Sequence, residues 1–368
     1  MDDRVLLHLI EPAAWRAALD TGVVEPPSLA GAGFVHLSTP DQVHLPARRL
    51  YGDRRDVVVL VVDPARLTDP VRWEPGVPGD PSAMRFPHLF GPLPTAAVVG
   101  VVPWLRGRPL ALPDPGDAAA RARALAVSVA TRRAAQLRPV PGGLVVSEPA
   151  FPHSRDDNRV LVTGAVTAAA VAELTAAAAT DAAWPAQAAT LLHPAAGPVA
   201  QELARRGWDV SPTVAMARRA PFPERPPGSV EAVPQERVHE FWAQSWRREL
   251  AGADPPLAEV VAQLVGREHR TDRVVQVTDL VVRESGRVVA AAQLRVDGAT
   301  AAVDSVLTDP AARRRGHADA LLTAALHRAG RAGCDLVVLD AAAEDWPRQW
   351  YARRGFDVVG RSWEAVRA

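Results

Sequence analysis

The sequence predicts a mixed α/β protein built from more than one α+β unit, and three observations predict it. A chain of 368 residues exceeds what one hydrophobic core usually organises. Short apolar runs bounded by turn residues alternate with helix-period segments along the whole length. Two turn-rich breaks, at Pro113–Gly116 and at Pro221–Gly228, then divide the chain into residues 1–112, 113–226 and 227–368, because clustered prolines disfavour regular structure.

In the first part, Val5–Ile10, Gly33–Ser38, Val57–Val62 and Ala97–Val102 read as strands, and Pro12–Leu19 as a short helix with proline in its opening turn. The second part opens with a long Ala/Arg helical run, Ala118–Leu137. Strands are expected at Gly143–Ser147, Arg159–Thr163, Thr190–His193 and Thr213–Arg218, with helices at Ala168–Ala178 and Pro198–Arg206, an order that implies a mixed sheet covered by helices. The third part reads as helices Arg237–Leu250 and Pro256–Arg267, then strands Val274–Glu284, Val288–Val296 and Thr300–Leu307, joined at Ser285-Gly286 and Asp297-Gly298, both hairpin turn signals. A helix Ala312–Gly330, a strand Leu336–Asp340, a helix Trp346–Arg353 and a strand from Phe356 follow.

Composition removes several function classes. The 42 basic and 42 acidic residues cancel, so no global field recruits nucleic acid or an anionic membrane, and neither is expected as a partner. Every basic residue among the 42 is arginine, which excludes a Schiff-base lysine and the lysine of a phosphate-binding loop. Cys334 is the single cysteine, leaving no intrachain disulfide or cysteine-rich zinc site. No run approaches the ~20 apolar residues that span a bilayer, and the start, Met1-Asp2-Asp3-Arg4, lacks a signal-like core. A cytoplasmic location is expected.

The informative stretch runs from Val303 through Arg313-Arg314-Arg315-Gly316-His317-Ala318 to Leu322. A strand enters a basic turn, and a glycine then lets a ligand approach the next helix closely. The unpaired N–H groups and dipole of such a helix start favour a pyrophosphate. Arg313-x-x-Gly316-x-Ala318 resembles the pyrophosphate motif of the GNAT acetyltransferase superfamily, and Tyr351-Ala352-Arg353-Arg354-Gly355-Phe356 resembles its closing signature.

That resemblance, over about Val230–Ala368, implies acetyl-CoA as co-substrate, held by the backbone near Val306, Leu307 and Thr308 and by the turn Arg313–Ala318. It implies direct attack on the thioester by an amine of a small molecule or peptide. Tyr351 would protonate the departing thiolate. Asp304, on the entering strand, is the candidate base. Glu344 stands where the family often has a cofactor-contacting Asn, and Pro347 replaces a common Ala. His317 is expected to contribute its backbone. The middle part, which ends helix-Gly207-Trp208-strand, reads as a degenerate GNAT-like lobe that packs on the active one and walls its acceptor cleft, or as an unrelated scaffold.

Residues 4–102 contain Leu6–Trp15, Gly33–Val43 and Phe86–Leu93, which resemble the DUF952 family, grouped by fold with ADP-ribosyltransferases. The resemblance implies a site gathering His8, His36 and His88 around NAD, although no clear catalytic Glu stands at the third motif. Three imidazoles are also a zinc-binding set; no metal is assigned. The alternative functions are an NAD-using transferase with an accessory GNAT lobe, and a protein that only senses CoA or NAD. The acceptor and the oligomeric state are not legible in the sequence.

Overall fold

The computed structural model describes residues 4–54, 56–76, 84–252 and 257–368. The acidic start at Met1–Asp3 and Pro256, the expected first position of a helix, lie outside the described residues.

The architecture is mixed α/β. In the N-terminal part, Leu6–Ile10, Val58–Val62 and Val98–Pro103 form one antiparallel sheet, and Val35–His36, Arg85–Leu89 and Val71–Pro75 form another. The strands Val71–Pro75 and Arg85–Leu89 escaped the sequence reading because each carries proline and charged residues that blur a two-residue period. Helix Pro12–Thr21 opens on its proline and buries Trp15, Ala18 and Leu19 against these strands.

Every described strand after residue 135 belongs to a single sheet, 11-stranded among the described residues. Its C-terminal half is the antiparallel run Gln276–Glu284, Arg287–Asp297 and Thr300–Thr308, followed by Leu336–Ala342 in parallel. Its other half holds Gln187–Leu191, Arg159–Val162, Gly143–Ser147 and Gln136–Val140.

The two halves exchange their last strands. Asp209–Arg219, the end of the middle part, pairs with Leu336–Ala342 of the C-terminal part, from Thr213 opposite Ala342 to Arg219 opposite Leu336. The chain's last strand, Asp357–Arg367, pairs with Gln187–Leu191 of the middle part. The same two strands pair with each other from Asp209 opposite Val366 to Ala217 opposite Asp357. Sequence order suggests that each strand closes its own unit. Pairing depends instead on which edge is open, and each half fills the other's edge.

Helix Ala118–Arg133 is capped by Asp117, whose Oδ1 accepts the N–H groups of Ala119 at 2.8 Å and Ala120 at 3.0 Å. It ends at Arg133 rather than Leu137, and Gln136–Val140 turns back as a strand on Gly143–Ser147. Pro139, inside that strand, cannot continue a helix. The helix crosses one face of the sheet, where Ala122 and Leu125 meet Leu336, Val338 and Ala302. Its Arg121 is fully buried, donating to Thr300 Oγ1, to the Ala299 carbonyl at 2.9 Å and to Asp335 at 2.7 Å. The opposite face carries the helix His317–Arg331 on a core that includes Val303, Leu339, Tyr351 and Phe356.

Candidate active site

Thr300–Thr308 and Leu336–Ala342 are paired only where Thr300–Ala302 face Leu336–Val338. Beyond that point the strands part, leaving a wedge. The separation has a local cause: Ser305 sits at φ +52°, and the register with Arg287–Asp297 slips between Ala291 and Gln293. Such a bulge bends its strand and re-aims the following backbone. Val306 then packs on the core beneath the helix His317–Arg331, and Leu307 on the other face, against the cluster formed by helix His239–Glu249. Among the described residues, 303–308 have no strand partner on the wedge side.

The helix that follows starts at His317, not at Ala312 as periodicity suggests. Arg314 at φ +63° and Gly316 at φ +81° break the backbone first. Gly316 is the N-cap and no side chain caps the helix, so its first N–H groups lack intrahelical acceptors. A Cβ built on Gly316 meets nothing within 4 Å, so the space above this helix start is open. Glu284 accepts from Arg315 at 2.8 Å and bonds His317 Nε2 at 2.9 Å. The His317 ring is therefore occupied, which leaves its backbone to face the turn. Arg313 Nε reaches the Thr308 carbonyl at 3.4 Å, and residues 313–316 are exposed. Ala318 lies in the first helical turn.

Tyr351, on helix Trp346–Ala352, is 9% exposed, held edge-on between Trp350 at 4.8 Å and Phe356 at 5.8 Å. Its hydroxyl has no hydrogen-bond partner among the described residues. Burial, reinforced by the Asp304 charge, pushes it up to about 12, so it stays protonated at neutral pH. Asp304 forms an ion pair with Arg295 and accepts from Ser305 Oγ at 3.2 Å. Burial works to raise its carboxyl, but Arg295 and the Ser305 hydrogen bonds together outweigh it and leave Asp304 below the usual carboxylate range. Arg295 is itself held by Glu268 at 3.0 Å and Gln293 at 2.6 Å. Glu344 stands in the exposed turn before helix Trp346–Ala352, where Asp345 caps that helix; no contact joins it to Tyr351 or Asp304 among the described residues.

Sequence reasoning missed Arg295, Glu284 and Asp340. Asp340 is the third residue of the alternation Leu336, Val338, Asp340 on a strand that otherwise reads as apolar, and only the strand register reveals what it faces.

In the N-terminal part the three histidines come together. His36 lies opposite His88 in register, their rings 5.0 Å apart, and His8 Nδ1 bonds the His36 carbonyl at 2.8 Å. His88 stacks on Phe34 at 4.0 Å and bonds Glu74 at 2.7 Å. Burial lowers the pKa of His8, and at the exposed His36 partial desolvation, then His88 and Arg49, act in the same direction. No group able to hold a metal ion is found among the described residues.

The parted strands, the uncapped helix start and the buried tyrosine lie together at one end of this α/β domain. Residues 236–356 match the family described as "Acetyltransferase (GNAT) family", and residues 9–101 match "Protein of unknown function (DUF952)"; the chain thus carries a GNAT domain behind a DUF952 domain. Nothing in the DUF952 match supports NAD. Among solved structures, a functionally unknown conserved protein from Staphylococcus epidermidis shares the fold at 10% identity and TM-score 0.50, over 62% of this chain and 92% of that one. A GCN5-related N-acetyltransferase from Sphaerobacter thermophilus aligns at 15% identity and TM-score 0.42, over 100% and 96%. One from Kribbella flavida aligns at 18% and 0.45, over 68% and 95%. No curated protein matches the chain. No helix among the described residues is long and apolar enough to cross a membrane.

Proposed function

We propose that the C-terminal domain is an acetyl-CoA-dependent N-acyltransferase that moves an acetyl group directly onto an amine of a small molecule or peptide. The observation that carries this reading is the uncapped helix start at Gly316 beside a wedge lined by Tyr351 and Asp304. The pyrophosphate would take the N–H groups of residues 316–318, with Arg313 and Arg314 adding charge. Pantetheine would enter the wedge along the free backbone edge of Val306 and Thr308. The amine nitrogen attacks the thioester carbon, the C–S bond breaks, and the Tyr351 hydroxyl gives its proton to the thiolate. The middle lobe walls the acceptor side, since its loop at 148–158 joins the C-terminal domain through Arg267–Asp156 at 2.7 Å and Arg270–Glu148 at 2.7 Å. A mass-spectrometric screen of amines, aminoglycosides and peptide N-termini with acetyl-CoA tests the reading. An acetylated product with matching CoA release supports it; acetyl-CoA consumed only by water contradicts it.

A further inference from the structure

The geometry points to Asp340 as the general base that deprotonates the acceptor ammonium, with Asp304 kept as a charged partner beside it; the assignment rests on the acyltransferase reading above.

Ala302 and Val338 are the last paired residues before the wedge, and both face helix Ala118–Arg133. Side chains two residues further along a strand return to the same face. Asp304 and Asp340 therefore stand on the same sheet face, one on each lip of the opening. Tyr351 belongs to the core on the other face, close enough to feel the Asp304 charge. A thioester lodged in the wedge would have the acid on one side and two carboxylates on the other, the side from which an acceptor can enter.

The two carboxylates are not equivalent. Asp304 is committed to Arg295, which Glu268 and Gln293 hold in place. Asp340 makes no hydrogen bond or ion pair among the described residues, and its solvent-facing side chain has Ala215 as its neighbour on the adjoining strand. The groups acting on it are Asp304, Glu364 on the last strand, and Arg159 on the strand Arg159–Val162. Water reaches this carboxyl through the opening, but protein surrounds it, and that partial desolvation, then the Asp304 and Glu364 charges, raise it to about 6, against the pull of Arg159. A pair whose environments drive their pKa values apart separates a permanent charge from a proton carrier, and a base works best when its pKa lies near the operating pH.

In the step itself, an Asp340 oxygen takes one proton from R–NH₃⁺. The freed nitrogen pair forms the C–N bond as the C–S electrons leave to sulfur, and Tyr351 protonates that sulfur. The nitrogen still carries one surplus proton once the C–N bond has formed; that proton passes through water to the Tyr351 oxygen, while Asp340 releases the first one to solvent, so that one proton is set free per acetyl group transferred.

Two probes separate this role from a structural one. A simple alkylamine is protonated at neutral pH, whereas hydroxylamine is mostly uncharged and needs no base before attack. Asp340→Asn is expected to lose about 10²–10⁴-fold in kcat/KM with the alkylamine and to keep most of its rate with hydroxylamine. The wild-type acid limb near the Asp340 pKa should vanish in Asp340→Asn, and should move to lower pH in Asp304→Asn as a like charge is removed. Equal losses on both amines, or an unchanged acid limb, overturn the assignment. pH-dependent infrared difference spectra of the acceptor-free chain give a readout that needs no turnover: wild type should show carboxyl absorption titrating well above the ordinary aspartate range, and Asp340→Asn should lose part of it while keeping the share of the buried Asp279. An undiminished band in Asp340→Asn overturns the assignment, while a diminished band in a protein that acetylates neither amine counts against the acyltransferase reading alone.

Discussion

Trp15 of the DUF952 domain donates its indole N–H to Asp297 of the GNAT sheet at 2.7 Å, across 282 positions of sequence. Trp15 is fully buried, and the same carboxylate receives Arg132 from the connecting helix, both side chains of that ion pair being 2% exposed. One buried charge thus joins all three parts of the chain.

Trp15→Phe keeps most of the ring and removes one hydrogen bond to a charged group, so it should cost about 1.5–3 kcal/mol. Burial raises the Asp297 carboxyl, while Arg132 and Trp15 pull it down; without the indole it rises further. A carboxyl raised in the fold loses stability as pH climbs from its unfolded value through its folded one. The deficit of Trp15→Phe, measured by urea denaturation, should therefore widen from acid toward neutral pH. A deficit independent of pH would mean the indole contributes only packing.

The exchange of last strands predicts that the middle and C-terminal halves unfold together. Ala365 is fully buried in the middle half's core, though it belongs to the last strand of the C-terminal half. A charge there has no partner, and burying one unpaired costs several kcal/mol. Calorimetry of Ala365→Asp should show both halves melting at a common lower temperature. A C-terminal transition left at its original temperature would show that the halves are independent.

Tyr351→Phe should leave folding and acetyl-CoA affinity nearly unchanged, because the ring keeps its contacts with Trp350 and Phe356. Turnover should fall by about 10²–10⁴-fold, mainly in kcat, since the hydroxyl acts on charge that develops only in the transition state. Steady-state kinetics on an acceptor from the amine screen decides this. Wild-type kcat would make Tyr351 a packing residue.

Much of the fold was legible because the apolar periods of the C-terminal strands and helices are long and their turns carry glycine; Ser285-Gly286 takes φ +50° and +78° as a hairpin turn requires. The turn from Arg313 to Ala318 was legible for the same reason, since Gly316 marks a conformation that other residues adopt at a cost. Partnerships between distant strands were not legible. No local pattern tells Asp209–Arg219 to pair with Leu336–Ala342, and without that register Asp340 is only an acid in an apolar strand. Arg295 was hidden likewise, because its value lies in reaching diagonally to Asp304 on the adjoining strand. Glu344 takes its interest from the family resemblance alone, and the structure places it in the exposed turn before helix Trp346–Ala352.

Acetyl-CoA binding at the Gly316 helix start is the first requirement of the proposed activity. Calorimetric titration of acetyl-CoA into the full chain and into Gly316→Glu tests this directly. Gly316 sits at φ +81° with open space above it, so glutamate should fold there at a cost of about 1–3 kcal/mol in backbone strain, while placing a carboxylate where the pyrophosphate must lie. Saturable binding at one site per chain is expected in the wild type and none in the folded variant. No binding in the wild type, or equal affinity in both proteins, would contradict that requirement.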